Sequence, residues 1–399
     1  MRTRNVKPFV LLLLSFALPV FVYLIVMVAA RVVPFGDNTL LIWDANDTYA
    51  ATLTYWRDVL LGQQSYPYSF NGMLGINLVE AFATGLSSPL NAILVLFPRG
   101  AMPLAFSTLT LLKIGLCGLT FMIYLRKRYQ CGLAGVLFSA SYALMSFVAV
   151  YFMHTIWLEA LILLPLAALG VYRIADGGNP LLFIISFALT IYCQFYMAYM
   201  VGLFSALYFV YLLIIGGGEA KTTAKSLLRK VFSFAGAALL SVGLAAAGLL
   251  PVVYHTITLG NQMDVDAIFS AGRVSTTFGI LAKAYTAAIS AVQERSGPPN
   301  YYICIPLLAF ALLYFTNRYI QRRHRIAERG LNAVFMRSFM LPALYLAWHL
   351  FNQPNFYPHR FSFLFSFVLL DLAWLGYQKI PNLSARGMKA RAVILAGSF

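Results

Sequence analysis

The stretch "PFVLLLLSFALPVFVYLIVMVAA", residues 8–30, contains no charged side chain. About 20 apolar residues suffice for a helix to cross the hydrocarbon core of a bilayer, so the stretch predicts a transmembrane helix. Comparable runs recur along the chain, which is 61% hydrophobic and only 11% charged. Since lipid cannot satisfy backbone N–H and C=O groups, such runs predict helices. The expected fold class is an all-α polytopic membrane protein.

The apolar runs predict ten spans, and an eleventh run begins near Ala390 and stops at Phe399. That ending suggests a fragment of a longer protein, and we expect residues 1–399 to form one transmembrane domain. The ten predicted spans are 9–30, 103–125, 131–150, 158–173, 181–198, 199–216, 231–253, 301–317, 338–352 and 361–378.

The charge distribution predicts the orientation of these spans. The net charge is +16, and most Lys and Arg residues fall in short loops on one side when the spans alternate. Short basic loops stay in the cytoplasm, so we expect a cytoplasmic N-terminus and no nucleic-acid partner. Most acidic residues fall on the opposite side, which contains two long loops, 31–100 and 254–300. We therefore expect a multi-pass protein of the cytoplasmic membrane whose working face is external.

The stretch "LLIWDANDTYAATLTYWRDVLLGQ", residues 40–63, opens the first long loop. Asp44 occupies the position of a helix N-cap, and Asp47 that of the acidic partner in a capping box. These features predict a capped interfacial helix. The alternative is that Asp44 acts as a general base at the membrane surface. The apolar residues recur at helical spacing, at Tyr49, Leu53, Trp56 and Leu60.

Two charged residues lie in or beside apolar runs. Lys113 lies in the middle of its predicted span, where a lysine in lipid costs about 2.5–3.5 kcal/mol. It should therefore point into the bundle and meet an anion, such as Glu159 or a ligand phosphate. Pairing with Asp371 is a purely structural alternative. His154, near Glu159, is either a hydrogen-bonded loop residue or part of a site.

The stretch "YPHRFSFLFSFVLL", residues 357–370, brings His359 and Arg360 to the outer end of the last predicted span. A guanidinium group forms bidentate contacts with phosphate, which makes Arg360 a candidate for binding a phosphate-linked substrate. The alternatives are that Arg360 reaches lipid headgroups or pairs with a nearby carboxylate.

Several stretches resemble the YfhO family of bacterial membrane proteins. The similarity covers nearly all of residues 8–380. In "QFYMAYM", Gln194, Phe195 and Tyr196 resemble a family Asn-Tyr-Tyr element, and Glu159 stands where the family usually has Asp. The other stretches that carry the resemblance are "PFGDNTLLIWDANDTY", "WLEALILLPLAALGVYR", "NYYICIPLLAFALLYFTNRYI" and "YPHRFSFLFSFVLL".

The resemblance implies a GT-C type glycosyltransferase, a helical bundle with about ten to eleven transmembrane helices and long outer loops. Such an enzyme moves a sugar, with inversion, from a polyprenyl-phosphate donor to a cell-envelope polymer such as teichoic or lipoteichoic acid. Asp44 would be the catalytic base. Donor, acceptor and membrane lipid are the expected partners. The predicted substrate-binding residues are Asp47, Lys113, His154, Glu159, Gln194, Tyr196, His359 and Arg360.

Two questions stay open at this point. Asp44, Asp47 and Glu159 offer oxygen ligands for a divalent metal, although nothing in the sequence requires one. A lipid or polysaccharide transporter, or flippase, would instead use Lys113, Glu159 and Asp371 as an intramembrane pathway. A non-catalytic envelope assembly factor with the same fold is a third possibility.

Overall fold

The computed structural model describes residues 6–70, 75–216, 223–258, 300–316, 326–339, 347–348 and 359–378. It confirms the all-α polytopic class, since six helical segments are long and apolar enough to cross a membrane. Each predicted span except 338–352 contains a described helix, and most of 338–352 lies outside the described residues. The helices are α1 Pro8–Ala29, α2 Ala50–Leu60, α3 Leu78–Ala81, α4 Met102–Tyr129, α5 Ala134–Ala143, α6 Ser146–Tyr151, α7 Leu158–Ala175, α8 Leu181–Cys193, α9 Phe195–Gly216, α10 Ala224–Leu244, α11 Ala246–Thr258, α12 Ile305–Thr316, α13 Ile326–Ser338 and α14 Ser362–Tyr377.

Two boundaries differ from the sequence prediction. The span predicted at 231–253 is divided between α10 and α11, and α10 already begins at Ala224. Thr223 begins this helix because its hydroxyl accepts a hydrogen bond from the backbone N–H of Ser226 at 3.3 Å. The span predicted at 181–198 ends earlier, because the backbone leaves the helical conformation at Gln194.

The chain divides into two compact units. The first contains Met1–Leu144 and Val150–Met263, and the second contains Met145–Ala149 and Asp264–Phe399. In the first unit α4 packs against α1, α5 and α7, and α7 packs against α8 and α9. Small residues permit these close approaches, since a Cβ on Gly118 would collide with the backbone carbonyl of Ser15 in α1. Helices α4 and α7 therefore form the buried centre of this unit.

The loop predicted at 31–100 is ordered over most of its length. It contains a π-helical turn at Ala45–Tyr49, α2, a short hairpin of β1 (Tyr68–Ser69) and β2 (Ile76–Asn77), and a 3₁₀ helix at Pro89–Leu96. A helix is thus confirmed here as α2, in which Leu53 is buried, while its position at the membrane surface stays a prediction. The loop predicted at 254–300 lies almost entirely outside the described residues.

Buried Asp58 connects α2 to the end of the first loop. Its carboxylate lies 2.6 Å from the Arg57 guanidinium and 2.9 Å from that of Arg99. Arg57 also donates to the backbone carbonyl of Phe97. This acid, which the charge distribution assigned to the working face, is therefore already paired within the loop.

In the second unit α12 packs along α14. The residues at 145–149 belong to this unit: the Ser146 N–H donates to the carbonyl of Tyr302 at 3.0 Å, and the Phe147 ring lies 5.4 Å from that of Phe363. Helix α14 is buried along almost all of its length, including Asp371. The turn at the start of α14 contains His359 and Arg360.

Candidate functional site

Asp44 and His154, which are distant in the sequence, meet in the first unit. One carboxylate oxygen of Asp44 lies 3.8 Å from Nδ1 of His154, and the Tyr49 hydroxyl forms a 2.9 Å hydrogen bond with the same nitrogen. The Asp44 side chain is 50% exposed, whereas His154 is only 1% exposed. The half-exposed carboxylate of Asp44 thus lies next to the buried imidazole of His154.

The backbone around Asp44 explains why its carboxylate is available. Trp43 adopts a left-handed conformation with φ of 51°, and its carbonyl accepts the N–H groups of both Asn46 and Asp47. Asp44 does occupy the N-cap position of the π-helical turn, but its side chain makes no capping hydrogen bond. The predicted capping role of this side chain is therefore wrong, because the turn is closed by backbone contacts.

His154 is fixed by aromatic packing. It lies between α6 and a 3₁₀ turn at Thr155–Trp157, and its ring stacks on Trp157 with centroids 4.0 Å apart and planes 11° apart. The Tyr49 ring meets it edge-on at 5.8 Å. These contacts hold the imidazole in one orientation toward Asp44.

Lys113 and Glu159 form an ion pair inside the first unit. Their charged atoms are 2.6 Å apart, and the side chains are 0% and 4% exposed. The Lys113 ammonium also donates to the backbone carbonyl of Thr155 at 3.0 Å. The prediction that Lys113 points into the bundle and meets Glu159 is confirmed. Because Thr155 follows His154 directly, this pair also fixes the turn that carries the imidazole. We call Asp44, Tyr49, Lys113, His154 and Glu159 the His154 cluster.

Asp47 does not join this cluster. Its side chain is exposed and accepts a 3.1 Å hydrogen bond from the amide of Asn46. Within the described residues, no three His, Cys, Asp or Glu side chains are grouped so that they could hold a metal ion. The suggested metal site of Asp44, Asp47 and Glu159 is therefore not formed, since Glu159 is buried against Lys113 instead.

Gln194 lies at the break between α8 and α9, where it is buried and donates to the carbonyl of Thr84 at 3.4 Å. Thr84 belongs to a π-helical turn at Phe82–Leu86, in which Gly85 has a φ of 129°. A Cβ on Gly85 would collide with the side chain of Ile156, so only glycine allows this turn to approach the turn after His154. Gln194 thus supports the surroundings of the His154 cluster, and partly buried Tyr196 lies two residues further along the chain.

An aromatic cluster that the sequence analysis missed lies beside this turn. The rings of Trp56, Tyr66, Phe82 and Tyr192 form a connected set with centroids 5.2–6.0 Å apart. Tyr66 is still 41% exposed, although burial and the nearby Tyr192 raise the pKa of its hydroxyl. The four residues lie in α2, in the loop after it, in the π-helical turn at Phe82–Leu86 and in α8. The helical spacing of apolar residues in the sequence therefore identified only Trp56.

His359 and Arg360 belong to the second unit. Burial lowers the pKa of His359 to about 4, so its imidazole is neutral at pH 7. Arg360 is partly exposed in the turn before α14. Asp44 belongs to the first unit, so a single site that contains both Asp44 and Arg360 stays a prediction of the family resemblance.

Fold and site together define a polytopic α-helical membrane protein with a buried ion pair among its spans and a carboxylate of the first long loop next to the imidazole of the turn after α6. Comparison with protein families identifies the family of this chain. The model of the family described as "Bacterial membrane protein YfhO" matches residues 15–399, and the chain belongs to that family. No curated protein and no solved structure matches the chain.

Proposed function

We propose that this protein is an inverting GT-C type glycosyltransferase that moves a sugar from a polyprenyl-phosphate donor to a cell-envelope acceptor on the outer face. Membership in the YfhO family supports the general class. The observation that carries the proposal is the half-exposed carboxylate of Asp44, held 3.8 Å from the buried ring of His154. Teichoic and lipoteichoic acids, whose free hydroxyl groups suit an attack of this kind, are the acceptors we propose.

The reaction would begin at Asp44. Its carboxylate accepts the proton of the acceptor hydroxyl while that oxygen attacks the anomeric carbon of the donor sugar. The bond between this carbon and the lipid phosphate breaks, its electron pair leaves with the phosphate, and the configuration inverts. His154 and Tyr49 hold the base in position, because their mutual hydrogen bond and the stack on Trp157 leave the imidazole little freedom.

The leaving phosphate needs a positive partner. Lys113 is already neutralised by Glu159, and His359 is uncharged at pH 7. Of these predicted substrate-binding residues, Arg360, with its planar guanidinium group, is the one that we assign to the phosphate of the donor. Sugar rings commonly stack on aromatic faces, and the cluster of Trp56, Tyr66, Phe82 and Tyr192 offers such faces next to Gly85.

The proposal can be tested with the purified full chain in detergent and labelled polyprenyl-phosphate sugars. We expect release of polyprenyl phosphate that depends on a teichoic or lipoteichoic acid acceptor.

One observation favours a second candidate, a lipid flippase: the Lys113–Glu159 pair lies among the spans, where charged pairs often mark transport pathways. Movement of a fluorescent lipid across proteoliposomes without cleavage of the donor would support the flippase and contradict the transferase.

Replacement of Arg360 should weaken donor binding. Arg360→Lys keeps the charge but loses the bidentate fork, so we expect a lower affinity for the polyprenyl-phosphate sugar, and Arg360→Ala should bind it weakest. Binding can be measured by titration of the donor lipid into each purified variant. Arg337→Ala, which removes an exposed cation from the same unit, is the control. Equal donor affinity in all four proteins would assign Arg360 to lipid headgroups instead.

A further inference from the structure

A polar pocket of about 420 Å³ lies in the first unit, away from the His154 cluster. One wall is the turn that joins α7 to α8, with Gly178 and Asn179. The other wall is the first three turns of α10. Neither the sequence analysis nor the proposed transfer reaction assigns a role to this pocket.

The side chains on the α10 wall share one helix face. Ser226, Arg229, Lys230 and Ser233 all line the pocket, at spacings of three, one and three residues. Positions i, i+3, i+4 and i+7 lie on the same side of an α-helix, so the four polar groups point together toward the turn. Because α10 begins at Ala224, directly after its Thr223 cap, this polar face is part of a stable helix.

The pocket is positively charged. Arg229 and Lys230 contribute two cations, and the residues that line it include no acid. Within the described part of the chain, neither side chain has an ion-pair partner. Two cations with two serine hydroxyl groups provide strong hydrogen-bond donors for a phosphate group, and the guanidinium can bind two of its oxygens at once.

The position of the pocket indicates which kind of phosphate it meets. The basic residues at this end of α7 and α10, including Arg173 and Lys225, predict that it faces the cytoplasm. Helix α10 exposes large apolar residues along its sides, among them Phe232 and Leu239, as expected for a helix that contacts lipid. Basic pockets between helices on the cytoplasmic side bind the headgroups of anionic lipids.

We propose that this pocket binds the phosphate of an anionic phospholipid headgroup in the cytoplasmic leaflet. Arg229 and Lys230 would contact the phosphate, while Ser226 and Ser233 would donate hydrogen bonds to its oxygens or to the headgroup glycerol. The lipid would hold the start of α10 against the α7–α8 turn. This inference does not depend on the transferase activity.

The test is a lipid titration by native mass spectrometry of the full chain in neutral detergent, with phosphatidylglycerol as the probe and phosphatidylcholine for comparison. The double variant Arg229→Gln/Lys230→Gln should lose affinity for phosphatidylglycerol by about tenfold or more, since two charge-assisted contacts disappear. Binding of phosphatidylcholine should stay weak in both proteins. Circular dichroism and gel filtration show whether each protein is folded.

The matched control is Lys127→Gln/Lys225→Gln, which removes two exposed cations outside the pocket from the same predicted side of the membrane. It should retain most of the affinity for phosphatidylglycerol. An equal loss in both double variants would mean general charge attraction and would overturn the proposal. The proposal also fails if inorganic phosphate alone binds in a way that depends on Arg229 and Lys230, while phosphatidylglycerol binding does not change between the variants.

Discussion

Asp44→Asn is expected to fold normally and to lose sugar transfer by a factor of about 10² to 10⁴, the usual contribution of a general base. The amide keeps the size of the side chain and leaves the hydrogen bond between Tyr49 and His154 in place, but it cannot take a proton from an acceptor hydroxyl. Loss of a cap cannot explain the effect, because the Asp44 side chain makes no capping hydrogen bond. Initial transfer rates of purified protein with saturating donor measure the change.

The control for this variant is Asp37→Asn. Asp37 is exposed in the same loop, so its replacement also removes one negative charge from this face without touching the His154 cluster. We expect nearly full transfer from Asp37→Asn and unchanged donor affinity in both variants. Transfer at the normal rate by Asp44→Asn would remove the base from the mechanism. An equal loss in both variants would point to the charge of the surface rather than to proton transfer.

The fold class and the direction of Lys113 follow from the sequence for the same physical reason. Lipid penalises unpaired polar groups so strongly that long apolar runs must be helices, and a lysine within one must turn inward to an anion. The sequence left Glu159, a ligand phosphate and Asp371 as possible partners of Lys113, and the 2.6 Å pair confirms Glu159. The helices and the inward direction of Lys113 are predictable because every alternative arrangement in lipid has a high free-energy cost.

The pairing of Asp44 with His154 does not follow from such a cost. Either residue is acceptable in water or in a loop, so only the packing of the first long loop against the turn after α6 decides that they meet. Local rules even predicted a capping box for Asp44 and Asp47, whereas the left-handed Trp43 closes the turn through its backbone. Tertiary contacts likewise assemble the aromatic cluster around Phe82 from segments that are far apart in the chain.

The Lys113–Glu159 ion pair affects both the stability of the fold and the turn that carries His154. Lys113→Met should destabilise the protein by about 3–5 kcal/mol, since it leaves the Glu159 carboxylate buried without its counter-charge. Thermal unfolding in a single detergent, followed by circular dichroism or by loss of the monomer peak, measures the effect. Lys127→Met, an exposed position on the same helix, should unfold close to the wild-type temperature.

The double variant Lys113→Met/Glu159→Met separates structure from chemistry. Replacement of a buried pair by apolar residues of similar size is often neutral or stabilising, so the double variant should recover most of the stability that Lys113→Met loses. Double and single variants of equal instability would show that the pair is not the source of the loss. If the double variant is stable and still transfers sugar, transfer needs neither the two charges nor the bond from Lys113 to Thr155. If it is stable but inactive, the pair is needed for transfer, either through its charges or through the 3.0 Å bond by which Lys113 holds the turn of His154.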